Sequence, residues 1–151
     1  MEQGEVNGQL WDWHPGQGWG KLPGTESSGP NGVVVSPDGK WLFYNIWGGK
    51  SVVRMSLGGG PARRSEIPMD FRPDNIHWAP DGQLLVGGAT VAADATKVVK
   101  IDPLTLKITP LLDMQNTPEF WFGSGAIQVG QMLWISSPRA NHIAIVPLPS
   151  R

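Results

Sequence analysis

An all-β fold of propeller type is predicted by three observations: a repeat with a 43-residue period, Pro-Asp-Gly turns at matching places in it, and little helical periodicity anywhere. In "GPNGVVVSPDGKWLFYN" (29–45) and "RPDNIHWAPDGQLLVGG" (72–88), Asn31 aligns with Asp74 and Val33 with Ile76. Pro37-Asp38-Gly39 likewise aligns with Pro80-Asp81-Gly82, and Leu42 with Leu85. "SGAIQVGQMLWIS" (124–136) is a weaker third copy with a shorter turn. A period in this range with about four strands per unit is the signature of propeller blades.

Taken in order, the chain opens with a strand pair at about 5–22, turned by "HPGQG" (14–18). A full blade follows at 31–68. Pro sets the first corner of its "SPDGK" turn, Asp tolerates the second, and Gly takes the left-handed position that returns the chain to the ladder. "SVVRMSL" (51–57) continues that blade. A second full blade spans 74–113, with "KVVKIDP" (97–103) as its third strand and "DPLTLK" (102–107) as a turn. Three strands at 124–148 end with "HIAIVPL" (142–148). The sum is about three blades, whereas propellers close with four to eight. The expectation is a single half-propeller domain over 1–151, completed by homodimerisation.

Composition agrees: 20 Gly, 14 Pro and 8 Trp supply many turns and many large rings, while only 17% of residues are charged. A net charge of −1 offers no basic surface for nucleic acid or anionic lipid. Cysteine is absent, which excludes disulfides. "MEQGEVNGQL" has neither the charged nor the apolar region of a signal peptide, and no apolar run reaches membrane-spanning length. A soluble, cytoplasmic chain is expected.

"PNG" and "PDN" at matching blade positions resemble the SMP-30/gluconolactonase-like family of calcium-dependent hydrolases, and Asp74-Asn75-Ile76 also resembles the related paraoxonase (arylesterase) proteins. The likeness runs over roughly 5–148, is strongest at 29–54 and 72–88, and matches the C-terminal half of such a protein. It implies a six-bladed ring with a divalent metal at the mouth of its central channel. It further implies metal ligands at Asn31, Asp74 and Asn75, with Asp74, or water held by it, assisting proton transfer. The family's glutamate ligand and the paraoxonase-type histidines belong to the N-terminal half and have no counterpart here. The implied function is calcium-dependent hydrolysis of a small lactone or ester. The alternative is a non-catalytic propeller piece that binds or assembles.

Carboxylate and amide oxygens suit a hard cation such as Ca2+ or another divalent ion, although a single carboxylate predicts weak binding by one copy. Two copies about a two-fold axis would place two Asp74 and two Asn31 on one channel. Against this stands the local reading, in which Asn and Asp cap a strand entry by bonding nearby backbone. Strand alternation assigns residues 74, 76 and 78 to one face and 75 and 77 to the other, which makes His77 a packed or surface histidine and not a base. His14 falls in a turn and His142 at a strand start, and neither is read with a carboxylate partner. "LGGGPARR" (57–64) precedes no helix, so it is an inter-strand loop and not a phosphate cradle. Trp41, Trp78 and Trp134 are expected between blades, whereas Trp47 and Trp121, in loop-like stretches, are candidates for a ligand surface. "TPEFWFGSG" (117–125) either lines the channel mouth or is buried.

Overall fold

The turns form as their residues require. Asp38 accepts hydrogen bonds from Ser36 Oγ at 2.6 Å and from the Lys40 amide at 3.1 Å. Gly39 and Gly82 both hold the left-handed conformation, φ 71° and 78°, that a side chain would resist. A computed structural model of the chain describes residues 4–58 and 60–148. The first three residues of the N-terminal stretch, the last three of the chain and one glycine of the 57–64 loop lie outside that range.

Every pairing is antiparallel and between strands consecutive in sequence. The first sheet is β1 (Trp11–His14) with β2 (Gly18–Lys21). The second is β3 (Pro30–Val35), β4 (Trp41–Ile46), β5 (Ser51–Ser56) and β6 (Arg64–Pro68). The third is β7 (Arg72–Trp78), β8 (Leu84–Ala89), β9 (Ala95–Ile101) and β10 (Ile108–Gln115). The fourth is β11 (Gly125–Val129), β12 (Met132–Ser136) and β13 (Ala144–Pro147). This meander of small sheets, without helix among the described residues, is a partial β-propeller.

The core lies in the seams between consecutive sheets. Leu10 and Leu22 from the first sheet's flanks pack on Leu42, Tyr44, Val53 and Met55 of the second. Phe43 and Val52 on the other side of that sheet meet Ile76, Leu84, Val86 and Ile101 of the third. Leu85 and Val98 then meet Ala126, Leu133 and Ile135 of the fourth. Strands β4, β5, β8 and β9 are buried on both faces, which is why they read as apolar runs without alternation. Trp41 and Trp78 lie in the second seam as expected, and Phe43 meets Trp78 edge-on at 5.7 Å. The Trp78 indole N–H also donates across that seam to the Val35 carbonyl at 2.9 Å.

Two expectations change. Val35 pairs with Leu42, but Trp78 pairs with Leu84, so Leu84, not Leu85, is the structural counterpart of Leu42. The first hairpin carries one more residue in its turn, and the sequence alignment slides past it. Trp134 stands on the outer side of the fourth sheet, 38% exposed, because no further sheet covers it among the described residues.

The strand entries are the most crowded points. A Cβ on Gly32 would lie 2.6 Å from the Asp74 carbonyl oxygen and 2.7 Å from the Ile76 nitrogen, both backbone atoms that cannot swing aside. Gly32→Ala is therefore expected to force the second and third sheets apart at a cost of about 1–3 kcal/mol. Urea unfolding measures it: Gly39→Ala tests the cost of a left-handed turn alone, and a Gly32→Ala midpoint equal to wild type would contradict the close approach.

Candidate functional site

Asn31 and Asp74 occupy equivalent irregularities. In β3 the ladder slips between Pro30 and Val33, and in β7 it slips between Pro73 and Ile76. A proline at each entry removes a ladder donor, and the extra residue makes a bulge that leaves backbone groups outside the ladder. The alternation predicted for β7 holds through the slip: Asp74 meets Asn31 on the side of the second sheet, as Ile76 does, and Asn75 turns to Ser124 and Gly125 on the side of the fourth. Ile76 packs into the second seam, His77 is exposed, and Asp74 and Asn75 are both half-buried, with the Asn75 amide folded back on its neighbour.

The two bulges bring the three predicted residues together. The Asn31 side chain stands near the Asp74 carboxylate and acts on it as a donor that lowers its pKa. Asn75 Nδ2 donates to Asp74 Oδ1 at 3.2 Å and to the Ser124 carbonyl at 3.2 Å. The Asn75 backbone amide, released from the ladder by the bulge, donates to the same Ser124 carbonyl at 2.9 Å. Gly125 leaves room for this, since a Cβ there would stand 3.0 Å from that of Asn75. In the fourth sheet, therefore, a backbone carbonyl faces the site from the position that carries a polar side chain in the other two.

One contributor was overlooked in the sequence. Asn45, fully buried in β4, donates Nδ2 to the Asp74 carbonyl oxygen at 2.9 Å, while its Oδ1 is buried without a hydrogen-bond partner. The signal was available: an amide within "WLFYNIW" is a polar group in an otherwise apolar strand. The counterpart of Asn45 in β8 is Gly87, whose missing Cβ lets the Gly125 backbone come close.

Burial pushes the Asp74 carboxyl above its ordinary value, and the hydrogen bond from Asn31 pulls it only part of the way back. No Lys, Arg or His forms an ion pair with Asp74 among the described residues. Nor do the described residues hold a group of three or more His, Cys, Asp or Glu able to bind a metal. A metal here would rest on one carboxylate and on amide and carbonyl oxygens.

The surrounding loops carry aromatic–arginine stacks. The Arg72 guanidinium lies 4.1 Å from the Trp47 ring, which is half-buried beneath it, and that of Arg139 lies 5.4 Å from Trp121, which is 38% exposed. The 117–125 segment divides its rings: Phe120 is buried in the third seam, whereas Trp121 faces outward and Phe122 is held left-handed at φ 58°. His14 closes β1 instead of sitting in a turn, and its Nε2 is 3.0 Å from Asp12 Oδ2, a partner two residues away that the sequence reading passed over. His142 leans on Phe120.

No family model and no curated protein matches the chain. Solved structures do. A gluconolactonase from Xanthomonas campestris aligns with a TM-score of 0.63 at 21% identity, over 93% of this chain and 44% of that one. A candidate 6-phosphogluconolactonase from Bacteroides fragilis aligns at 0.63 and 18%, over 91% and 43%. Virginiamycin B lyase from Staphylococcus aureus aligns at 0.57 and 18%, over 94% and 49%. The likeness is one of fold, and the chain spans less than half the length of each of these structures.

The Asp74 pKa generates a stability prediction. Because the folded value is raised, the neutral carboxyl favours the fold; that advantage is complete below the ordinary value of 3.8 and is lost as pH rises through the raised folded value. Without added metal, Asp74→Asn should therefore melt a few degrees above wild type near neutrality, with the difference closing at acid pH. Thermal melts across pH measure it, and a neutral-pH loss of stability would contradict the assignment.

Proposed function

We propose that this chain carries a calcium site of the gluconolactonase type and takes part in hydrolysing a small lactone or ester. What supports the reading is the convergence of Asn31, Asp74 and Asn75 from two equivalent bulges onto one point at the entry of the inner strands. The donor set fits a hard dication in kind, with one carboxylate, two side-chain amides and the unpaired Asn45 oxygen in the same cluster. A bound dication would polarise a substrate carbonyl and stabilise developing negative charge on its oxygen.

The remaining work falls to the chain's own groups. The Asn75 amide nitrogen donates to the Asp74 carboxylate and Asn31 acts on it as a donor, so both would offer their oxygens instead when a cation arrives. Asp74, raised by burial, is a better proton acceptor than an exposed aspartate and would take a proton from an attacking water. Trp121 and the Trp47–Arg72 stack would border the bound ring.

A second reading is favoured by the same hydrogen bonds: they already satisfy Asp74 without a cation, as strand-entry caps in a non-catalytic binding or assembly module would. Calcium titration followed by melting separates the two. At a hundred times its dissociation constant, calcium should stabilise the fold by about 2.7 kcal/mol, and Asp74→Ala should abolish that shift together with any calcium-dependent acid release from lactones. A wild-type shift of zero, or an equal shift in Asp74→Ala, overturns the metal site and leaves the capping module.

A further inference from the structure

Among the described residues the two outermost faces of the sheet stack are uncovered and mostly apolar, with Lys21 over Trp11 the charged group on the first. On the first sheet, Leu10 and Leu22 turn toward the second sheet, while Trp11, Trp13 and Trp19 turn away from it, 52%, 54% and 69% exposed. Trp13 and Trp19 are cross-strand partners. Val33 and Val35 on β3 of the second sheet are also exposed, 48% and 46%, on the side opposite Val34, which packs in the second seam. At the opposite end, Ile127, Trp134 and Ile145 form one row across β11, β12 and β13, flanked by Val129. In the second and third sheets, the sides that face a neighbour are buried by it, as Leu42, Tyr44, Leu85 and Val98 show. The end faces thus have the composition of a seam without its second half.

We infer that two copies of this chain pack end to end, the aliphatic face of each fourth sheet covering the tryptophan and valine face of the other copy's first and second sheets. Each contact joins unlike faces, so repetition yields either a closed ring or a filament. A second copy is the occupant that the observations favour, because it supplies the complement of both ends at once. The solved structures that this chain resembles also contain about as much chain again as it spans. Exposed apolar faces of this extent are otherwise an aggregation hazard, which ring closure removes. Closure also sets a second Asn31–Asp74–Asn75 cluster on the same central channel, doubling its carboxylates. The inference rests on the end faces and not on the calcium reading, and it stands or falls separately from it.

Light scattering of the purified chain over a concentration series provides the test. The expected result is a plateau at twice the 16.4 kDa chain mass. Trp134→Glu on one end and Trp19→Glu on the other should each reduce the mass to that of one chain, with the β circular-dichroism spectrum retained. Mixed together, the two variants should regain a dimer through the single undamaged contact that their pairing leaves, and Ile145→Lys should behave as Trp134→Glu does. A wild-type monomer at the highest concentration, a mass that climbs without a plateau, or a dimer indifferent to all three substitutions would each overturn the inference.

Discussion

The site depends on how near β3 lies to β7. At Gly32 the backbone of one sheet rests against the backbone of the next, a contact that no side chain could share. Glycine serves there for its missing volume, not for an unusual φ. That approach lets the Asn31 amide reach Asp74, lets Asn45 reach the Asp74 carbonyl, and half-buries the carboxyl so that its pKa rises. The next seam repeats the device with Gly87 and Gly125, which bring Ser124 to Asn75. Inner strands that converge on an axis need such glycines, and here the same economy of space assembles the polar cluster.

Charge is distributed with some consistency. Lys97 is shared by Asp70 and Asp113, and Lys100, nearly buried, pairs with Asp81 at 2.5 Å. Burial acts to raise the Asp81 carboxyl, but Lys100 and the turn amide of Gln83 hold it below its ordinary value. Asp74 has amides where Asp81 has an ammonium, and its carboxyl moves the other way. A half-buried carboxylate balanced only by neutral donors has capacity for positive charge that the paired aspartates have already filled.

Much of the architecture was legible because it is written in local patterns. The period, the Pro-Asp-Gly corners and the apolar runs of β4 and β8 are properties of neighbouring residues, and they define the hairpins and their order. The meeting of Asn31 with Asp74 followed from their equivalent places in the repeat, whereas Asn75 entered only through the resemblance of Asp74-Asn75-Ile76. What could not be read depends on partners elsewhere. A bulge is defined by the strand opposite, so the slip between Pro73 and Ile76, which frees the Asn75 amide for the Ser124 carbonyl, shows only in the pairing. The one-residue difference between the two turns shows only in the pairing of Val35 with Leu42 and of Trp78 with Leu84. Trp134 has the sequence of a seam residue, and whether it is buried is decided by the presence of another sheet. Asn45 was within reach, as an amide in an apolar strand, but its partner lies 29 residues away.

The placement of the tryptophans has an optical consequence. Trp41 and Trp78 sit in the second seam, whereas Trp11, Trp13, Trp19 and Trp134 stand on the two end faces. In a single folded chain these indoles meet water, so the colour of its emission reports on what touches the ends as well as on whether the core is intact. A red-shifted spectrum is a property of a single folded chain's uncovered ends and not a sign of unfolding, and end-to-end pairing would move it to the blue.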